Sequence, residues 1–247
     1  TYYLMLVEKD TLNYSGNVNL AFIAARRDDS RGAITYYERA LKSNPKDATT
    51  MGTLASLYGK LGDKEKRYEY LHMAIEAAPE NHQFKKLLAK AYFSESDYEK
   101  AIPLYESLVM EFPDDPGFHR KLGYAMFKTG RKAEAPAELE KSVAINGGDA
   151  FTYALLSMIY NENATYPKAA AAAKAGLALN DGETAFLTYQ WGEALSKQND
   201  YEGAIAKFEK VAGMGDPTWS GRAVKQVDRQ LKLIKIREAK KEQEQYE

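Results

Sequence analysis

Apolar residues recur at helical spacing along most of the chain, in pairs of short stretches separated by polar breaks. The clearest pair lies in residues 81–113, where each half places apolar residues at i, i+3, i+4 and i+7, the spacing of one helix face. These residues are Phe84, Leu87, Leu88, Ala91, Tyr92, Ala101, Leu104, Tyr105, Leu108 and Val109. The polar segment 94–97 separates the halves, and Pro113 ends the second. The pattern predicts a helical hairpin whose apolar face needs a neighbouring hairpin to bury it.

The same pattern returns every 34 residues in several independent columns. One column consists of Pro45, Pro79 and Pro113, with Gly147 at the next step. A second pairs leucine with a small residue, at 20–21, 54–55, 88–89 and 122–123, and a third holds Tyr37, Leu71, Tyr105 and Leu139. Columns that share one period predict a tandem array in which each hairpin buries its apolar face against the next.

Two units carry the sequence pattern most completely. The unit around residue 90 has Leu88, Ala89, Tyr92, Tyr98, Ala101, Tyr105 and Pro113, and the last unit has Trp191, Gly192, Tyr201, Ala204 and Phe208. On these residues the chain resembles the tetratricopeptide repeat (TPR) family. The resemblance implies an all-α fold, an α-α superhelix or TPR solenoid of about six helix-turn-helix repeats, each with a helix A followed by a helix B.

The register predicts six repeats at residues 14–47, 48–81, 82–115, 116–149, 150–184 and 185–217. Residues 1–13 are expected to form a partial repeat with helix B only, because residues 1–3 (Thr-Tyr-Tyr) match residues 35–37 one period later. The chain is therefore expected to be part of a longer protein.

Residues 218–247 follow a different pattern and are expected to form a C-terminal capping helix with a charged tail. One helical stripe of apolar residues would cover the sixth repeat: Trp219, Ala223, Val227, Leu231 and Ile234. Leu233 and Ile236 lie partly off that stripe, and they indicate either a wide capping face or a contact with a partner. The tail from Lys240 onward has almost no apolar content and is expected to be solvated or frayed.

The fifth repeat contains an alanine-rich helix B at residues 168–176. Alanine strongly favours the helix, but its short side chain makes the helix thin. We expect the neighbouring helices to approach this one more closely than they approach other B helices.

Composition narrows the possible functions. The formal net charge is -1, which argues against a partner such as nucleic acid that is held by phosphate neutralisation. The chain has no cysteine, which excludes disulfides, thiolate catalysis and cysteine-based zinc sites. No apolar run approaches the ~20 residues that span a bilayer, so no direct membrane span is predicted.

The sequence offers no catalytic constellation. His72, His82 and His119 lack metal-ligand spacing, and the glycines fall in turns or helix-packing positions instead of forming a phosphate-binding loop. We therefore predict that the protein is not an enzyme and has no catalytic, cofactor-binding or metal-binding residues.

The candidate functional residues follow from the TPR resemblance, in which A helices line a concave groove. Carried over by register, the groove positions are Lys86, Lys90, Phe93, Arg120, Tyr124, Phe127, Lys128, Met158 and Tyr189, with Ala154, Asn161, Glu162, Glu193 and Lys197 beside them. Their basic and aromatic character favours a protein or peptide segment with acidic and hydrophobic residues. The other interpretation is that the lysines are solvated and the aromatic rings pack between adjacent A helices.

The resemblance thus implies a non-enzymatic scaffold or adaptor that binds a protein or peptide in its concave groove. One alternative is a regulatory or targeting segment of a larger enzyme. Another is a structural subunit of a bacterial envelope or secretion assembly, in keeping with the tyrosine-rich, cysteine-free composition. The carboxylate clamp that some family members use for chaperone tails is not expected, since Val18 and Phe22 occupy the first unit's positions.

Overall fold

The computed structural model describes residues 2–179 and 184–246, and within them the chain forms fourteen helices and no strand. The helices are α1 Tyr2–Lys9, α2 Tyr14–Arg26, α3 Ser30–Ser43, α4 Ala48–Leu61, α5 Lys64–Ala77, α6 His82–Ser94, α7 Tyr98–Glu111, α8 Pro116–Lys128, α9 Ala135–Asn146, α10 Ala150–Glu162, α11 Tyr166–Leu179, α12 Thr184–Lys197, α13 Tyr201–Gly213 and α14 Ser220–Tyr246. The predicted all-α class is confirmed. Residues 1, 180–183 and 247 lie outside the described residues, and with them the end of the predicted fifth repeat.

Consecutive helices pack together within two compact units, Thr1–Leu104 and Tyr105–Glu247. In the first unit α2 packs on α3 and α4 packs on α5, while α3 contacts α4 and α5 contacts α6. In the second unit α8 packs on α9, α10 on α11, α12 on α13, and α13 on α14. The even-numbered helices α8, α10 and α12 also contact one another in sequence, as A helices of adjacent hairpins.

The A helices begin at equivalent capping residues. Five N-cap side chains accept hydrogen bonds from backbone N–H groups of the first turn, and they stand 34 residues apart: Asn13, Asp47, Asn81, Asp115 and Asp149. A carboxylate or amide oxygen at this position satisfies an N–H group that has no partner inside the helix. The repeat is therefore fixed locally at each helix start.

The turn between helix A and helix B repeats in backbone geometry as well. Residues with positive φ occur at Asp28, Gly62, Ser96, Gly130, Ala164 and Asn199, with steps of 34 residues and a last step of 35. Only two of the six are glycines, although glycine enters this region at the lowest cost. The backbone conformation is thus set by the stacking of the hairpins even where the residue type opposes it.

The leucine column occupies equivalent positions in successive hairpins. Leu54, Leu88, Leu122 and Leu156 are all buried, with exposed fractions of 3% or less. The small residues that follow them, Ala55, Ala89, Gly123 and Ser157, are buried too. At Gly123 an added Cβ would lie 2.7 Å from Leu139 Cγ on α9. Small residues are therefore needed here because helix B packs directly against the helix A backbone.

Tyrosine hydroxyls link two of the A helices to the preceding hairpin. The Tyr58 hydroxyl on α4 donates to Glu38 Oε1 on α3 at 2.6 Å, and the Tyr160 hydroxyl on α10 donates to Glu140 on α9 in the same way three repeats later. Burial, followed by the adjacent carboxylate, raises the pKa of both hydroxyls. Both therefore remain protonated donors, and tyrosine serves these half-buried positions with an apolar ring and a polar tip.

The alanine-rich helix α11 packs closely against both of its neighbours. An added Cβ at Gly176 would lie 2.8 Å from Tyr153 Cβ on α10 and 2.9 Å from Leu187 Cδ1 on α12. These separations leave no room for even one methyl group without a shift of the neighbouring side chains. The expectation that neighbours approach α11 more closely than other B helices stays a prediction, since an added Cβ at Gly123 would lie equally close to α9.

The C-terminal helix differs from its predicted stripe at one position. Ala223 and Gln230 are fully buried, and Val227 and Ile234 are half-buried, whereas Leu231 is 46% exposed. The prediction for Leu231 is therefore wrong. Gln230 takes its place on the buried face, where its amide oxygen accepts a hydrogen bond from Ser196 Oγ on α12 at 2.8 Å and its Nε2 has no partner among the described residues. The tail is helical to Tyr246, and its side chains from Lys240 to Glu244 are exposed, as a solvated tail requires.

Candidate functional site

The second unit contains a cavity of about 400 Å³ between its last helices. Residues from α10, α12, α13 and α14 contribute to its wall, together with Trp219, which immediately precedes α14. A cavity of this size lies within the range of small-ligand and side-chain binding pockets. We name it the C-terminal cavity.

Aromatic rings form the apolar side of the C-terminal cavity. The Tyr189 ring lies with its centroid 5.2 Å from that of Phe208 and 5.0 Å from that of Trp219, and Phe186 lies 5.0 Å from Trp219. Phe208 is fully buried, whereas Phe186 and Trp219 are half-buried. These tilted contacts are the favourable geometry for aromatic pairs and hold the rings in fixed positions.

Amide side chains form a polar part of the wall. Asn161 Nδ2 on α10 donates to the Gln190 backbone carbonyl at 3.0 Å and to Gln190 Oε1 at 2.9 Å. Asn161 Oδ1 is buried and accepts no hydrogen bond from the described residues. Gln226 Nε2 on α14 donates to the Tyr189 hydroxyl at 3.3 Å. These hydrogen bonds connect α10 to α12 and α12 to α14 along the cavity wall.

Charged side chains of both signs surround the cavity. Lys197, Arg222 and Arg229 are exposed cations in its lining, and the Arg222 guanidinium lies 5.0 Å from the centroid of the Trp219 ring. Glu193 is half-buried among them. Burial raises the pKa of the Glu193 carboxyl above its ordinary value of 4.5, although Lys197 acts in the opposite direction. The environment therefore disfavours the ionised form of this carboxyl.

Six of the groove positions that the register predicts line the C-terminal cavity: Met158, Asn161, Glu162, Tyr189, Glu193 and Lys197. Met158 is half-buried in its wall. Tyr189 also lines the cavity, but it is only 7% exposed and belongs to the packed core with Phe208. Only a small part of the Tyr189 side chain therefore borders the C-terminal cavity, and the rest packs in the core.

The predicted groove residues of α8 have specific neighbours within the second unit. Arg120 forms an ion pair with Asp149, the residue that caps α10. The Tyr124 ring lies 6.2 Å from the Phe151 ring, and Lys128 Nζ lies 6.0 Å from the Tyr124 centroid. The Arg120–Asp149 and Tyr124–Phe151 contacts link α8 to α10, as the packing interpretation of the aromatic residues requires. Lys128 nevertheless remains exposed.

Phe127, the fourth predicted position on α8, is half-buried, and Lys132 Nζ lies 5.8 Å from its ring centroid. Lys132 also pairs with Glu162 on α10, with Nζ 2.6 Å from Oε2. Phe127 is therefore partly covered by a lysine whose charge is already directed to a neighbouring helix.

The predicted residues of α6 lie in the first unit. Lys90 is exposed, Lys86 is half-buried, and Phe93 packs its ring edge-on against Tyr98 with centroids 5.4 Å apart. Lys86 and Lys90 are four residues apart on one helix, so they share a face.

Sequence reasoning missed the contribution of α14, which it treated only as a cap. Arg222, Gln226 and Arg229 all line the C-terminal cavity. Their spacing of i, i+4 and i+7 is that of one helix face, so a polar stripe beside the apolar one was available as a signal. What the sequence lacked was the partner surface on α10 and α12.

Within residues 2–179 and 184–246, no group of three or more histidine or acidic side chains could hold a metal ion. None of the described helices combines the length and apolar content that crossing a bilayer demands.

Comparison with family models matches this chain to repeats. Two models described as tetratricopeptide repeat match the chain. One matches residues 14–47, and the other matches the overlapping ranges 53–116 and 86–150. Together the matches extend over more than half of the chain. No curated protein matches the chain.

Several solved structures share the fold. MamA AMB-1 has a TM-score of 0.61 at 19% identity, covering 70% of this chain and 94% of its own. MamA from Desulfovibrio magneticus RS-1 has a TM-score of 0.56 at 15% identity, covering 66% of this chain and 90% of its own. YrrB, described as a TPR protein with an unusual peptide-binding site, has a TM-score of 0.59 at 16% identity, covering 83% and 97%. These likenesses show the fold, a solenoid of stacked helical hairpins.

Proposed function

Because the chain belongs to the tetratricopeptide repeat family, we propose that it is a non-enzymatic scaffold that binds a segment of a protein partner on its A-helix surface. The fold itself supports a role in protein interaction. The observation that carries the finer proposal is the C-terminal cavity, which α10, α12 and α14 build together from aromatic, amide and charged side chains.

The cavity supports a binding role because its features are those of a recognition site. Packed rings such as Tyr189 and Trp219 present a rigid apolar surface, and a rigid surface loses little conformational entropy on association. The side chains of Asn161, Gln190 and Gln226 add amide groups to the cavity wall. YrrB, a structural neighbour, is itself described as having a peptide-binding site.

The proposal includes the predicted groove positions. Lys128 and Phe127 on α8 would extend the binding surface from the cavity in the second unit. Lys86, Lys90 and Phe93 would provide a second surface in the first unit. We place Arg120 lower in importance because its guanidinium already pairs with the Asp149 carboxylate.

The proposal is tested by selecting binders from a random peptide library displayed on phage, with the immobilised chain as target. Selected peptides are then measured against the wild-type protein, Met158→Glu and the pair Lys90→Glu with Phe127→Ala. We expect Met158→Glu to weaken binding at least about tenfold, because it adds a charge to a partly apolar wall. Circular dichroism checks that each variant folds. Selected peptides that bind all folded variants equally would refute binding on the A-helix surface.

A second candidate is assembly through the outer face of α14, which one observation favours. Ile236 is 54% exposed, although it is a large aliphatic residue, and Leu233 beside it is half-buried. The variants Leu233→Glu and Ile236→Glu test this role. Under the assembly hypothesis they abolish complex formation in a cross-linking pull-down, and Met158→Glu leaves it intact. The opposite result favours the A-helix surface.

A further inference from the structure

We infer that the C-terminal cavity selects a peptide segment in which a large apolar side chain is flanked by carboxylates, and that Arg222 and Arg229 of α14 read those carboxylates. This inference rests on the proposed function and specifies the chemistry of its partner. It assigns specificity to a helix outside the predicted repeats.

Positive side chains outnumber negative ones at the cavity. Glu162 is part of the lining, but its carboxylate is neutralised by Lys132, with 2.6 Å between Nζ and Oε2. That leaves Lys197, Arg222 and Arg229 facing one acid, Glu193. Three cations around one carboxylate leave a net positive charge even when Glu193 is ionised. The cavity is therefore electropositive and favours an anionic ligand.

In the described part of the chain, neither of the two arginines is held in a close ion pair, although both act on the Glu193 carboxyl through space and Arg222 lies over the Trp219 ring. Among the described residues no acidic side chain pairs with Arg222 or Arg229, and both are exposed. By contrast, Arg237 on the same helix pairs with Glu202, and Arg120 pairs with Asp149. A guanidinium has five N–H donors in a fixed plane that suits carboxylates. Arg222 and Arg229 therefore retain donors for a ligand.

The two arginines are spaced so that one short segment can reach both. Arg222 and Arg229 are seven residues apart on α14, which corresponds to about 10.5 Å along a helix axis. Three residues of a polyproline II segment rise about 9.3 Å and make one turn, so residues i and i+3 lie on the same face. Two acidic residues separated by two others in such a segment can therefore face both guanidinium groups.

The cavity that holds these charges also has an apolar wall. Phe186, Tyr189, Trp219 and Met158 line the cavity, whose volume is about 400 Å³. A volume of that order accommodates one large aliphatic or aromatic side chain together with its backbone. The middle residues of the segment would enter here, while the flanking carboxylates remain at the exposed rim.

Three synthetic probes with fluorescein at the N-terminus test the inference by fluorescence anisotropy. The acidic probe is Asp-Glu-Trp-Leu-Glu-Asp, the amide probe is Asn-Gln-Trp-Leu-Gln-Asn, and the probe without an anchor is Asp-Glu-Ser-Ser-Glu-Asp. We expect saturable binding of the acidic probe and at least about tenfold weaker binding of the other two. Added salt should weaken the acidic probe most, because exposed charges are screened.

Matched variants assign the effect to the cavity. Arg222→Glu and Arg229→Glu each weaken binding of the acidic probe at least about tenfold, because each reverses a charge. Lys235→Glu makes the same charge change on another face of α14, which does not line the cavity, and leaves affinity within about twofold. Glu193→Gln tightens binding about 2- to 5-fold by removing the remaining negative charge.

The outcomes separate this inference from the proposed function. Equal binding of the acidic and amide probes, both lost in Met158→Glu, overturns the charge selection and keeps the binding role. An equal loss in Lys235→Glu and Arg229→Glu overturns it too, because the attraction is then unspecific. A single-stranded oligonucleotide that binds more tightly than the acidic probe shows that the anion is phosphate, which also overturns it. No binding of any probe, with library peptides insensitive to Met158→Glu, refutes both.

Discussion

The close packing of α11 makes a quantitative prediction at Gly176. Replacing a helical glycine by alanine ordinarily stabilises a helix by about 0.8–1.0 kcal/mol in its interior. At Gly176 the new Cβ would meet Tyr153 Cβ at 2.8 Å and Leu187 Cδ1 at 2.9 Å. Overpacking of a tight core by one methyl group costs about 1–3 kcal/mol. Gly176→Ala should therefore lower the free energy of unfolding by about 0–2 kcal/mol.

Gly221 provides the matched control. It lies in the first turn of α14, and an added Cβ there would meet no atom within 4 Å. Gly221→Ala should leave stability unchanged or raise it by up to about 1 kcal/mol. The difference between the two substitutions, about 1–3 kcal/mol, isolates the steric effect because the chemical change is the same.

Urea unfolding followed by tryptophan fluorescence measures this difference. The chain has two tryptophans, Trp191 and Trp219, and both lie in the second unit. Trp191 packs against the cluster that contains Leu187, so its emission reports the region around α11. A double-mutant cycle with Leu187→Ala should give a favourable coupling of about 0.5–3 kcal/mol, since the removed side chain makes space for the new methyl. Gly176→Ala as stabilising as Gly221→Ala would refute the close approach of α11 to its neighbours.

Three further predictions concern individual residues. Glu193→Gln should raise the free energy of unfolding at pH 7, because burial raises the folded-state pKa of this carboxyl and the ionised form is then unfavourable in the folded protein. The gain should vanish below about pH 4.5, where the carboxyl is protonated in both states. A gain that persists below that pH contradicts this reasoning. At Glu138 burial raises the pKa, but hydrogen bonds from Lys141 and His119 outweigh burial and lower the pKa overall, so the stability that this carboxylate provides above about pH 4.5 is lost as the pH falls. The unfolding free energy of Glu138→Gln should therefore depend less on pH in the acid range than that of the wild type. An unchanged pH dependence excludes this role of Glu138. Gly130→Ala should cost about 1 kcal/mol in thermal or urea unfolding because φ is +87° there, and a neutral result would mean that the turn relaxes.

Much of the fold is readable from local patterns. The leucine and small-residue columns predict equivalent buried positions, and Leu88 and Leu122 occupy them. This works because each hairpin contacts mainly its neighbours, so a repeated local sequence leads to a repeated local structure. The capping residues at 34-residue steps, such as Asp115 and Asp149, carry the same information, since an N-cap depends only on the first turn of its own helix.

The candidate site is less readable, and Tyr189 shows why. The register assigns it to the groove, while its actual burial depends on Phe208 and Trp219, which come from two later segments. Leu231 and Gln230 show the same dependence. Hydrophobicity favours Leu231 for the buried face, but the packing of α14 on its neighbours turns Gln230 inward, where it meets Ser196.

The sequence by itself determined the hairpin period, the helix types and the positions of the buried leucines, because those depend on spacing along one or two helices. Only the tertiary structure decided which charges remain available to a ligand. Arg120 is paired with a neighbouring helix, whereas Arg222 and Arg229 line a cavity built from several helices. The physical reason is that an ion pair or a cavity depends on side chains from separate helices, and their distances are fixed only when the hairpins pack.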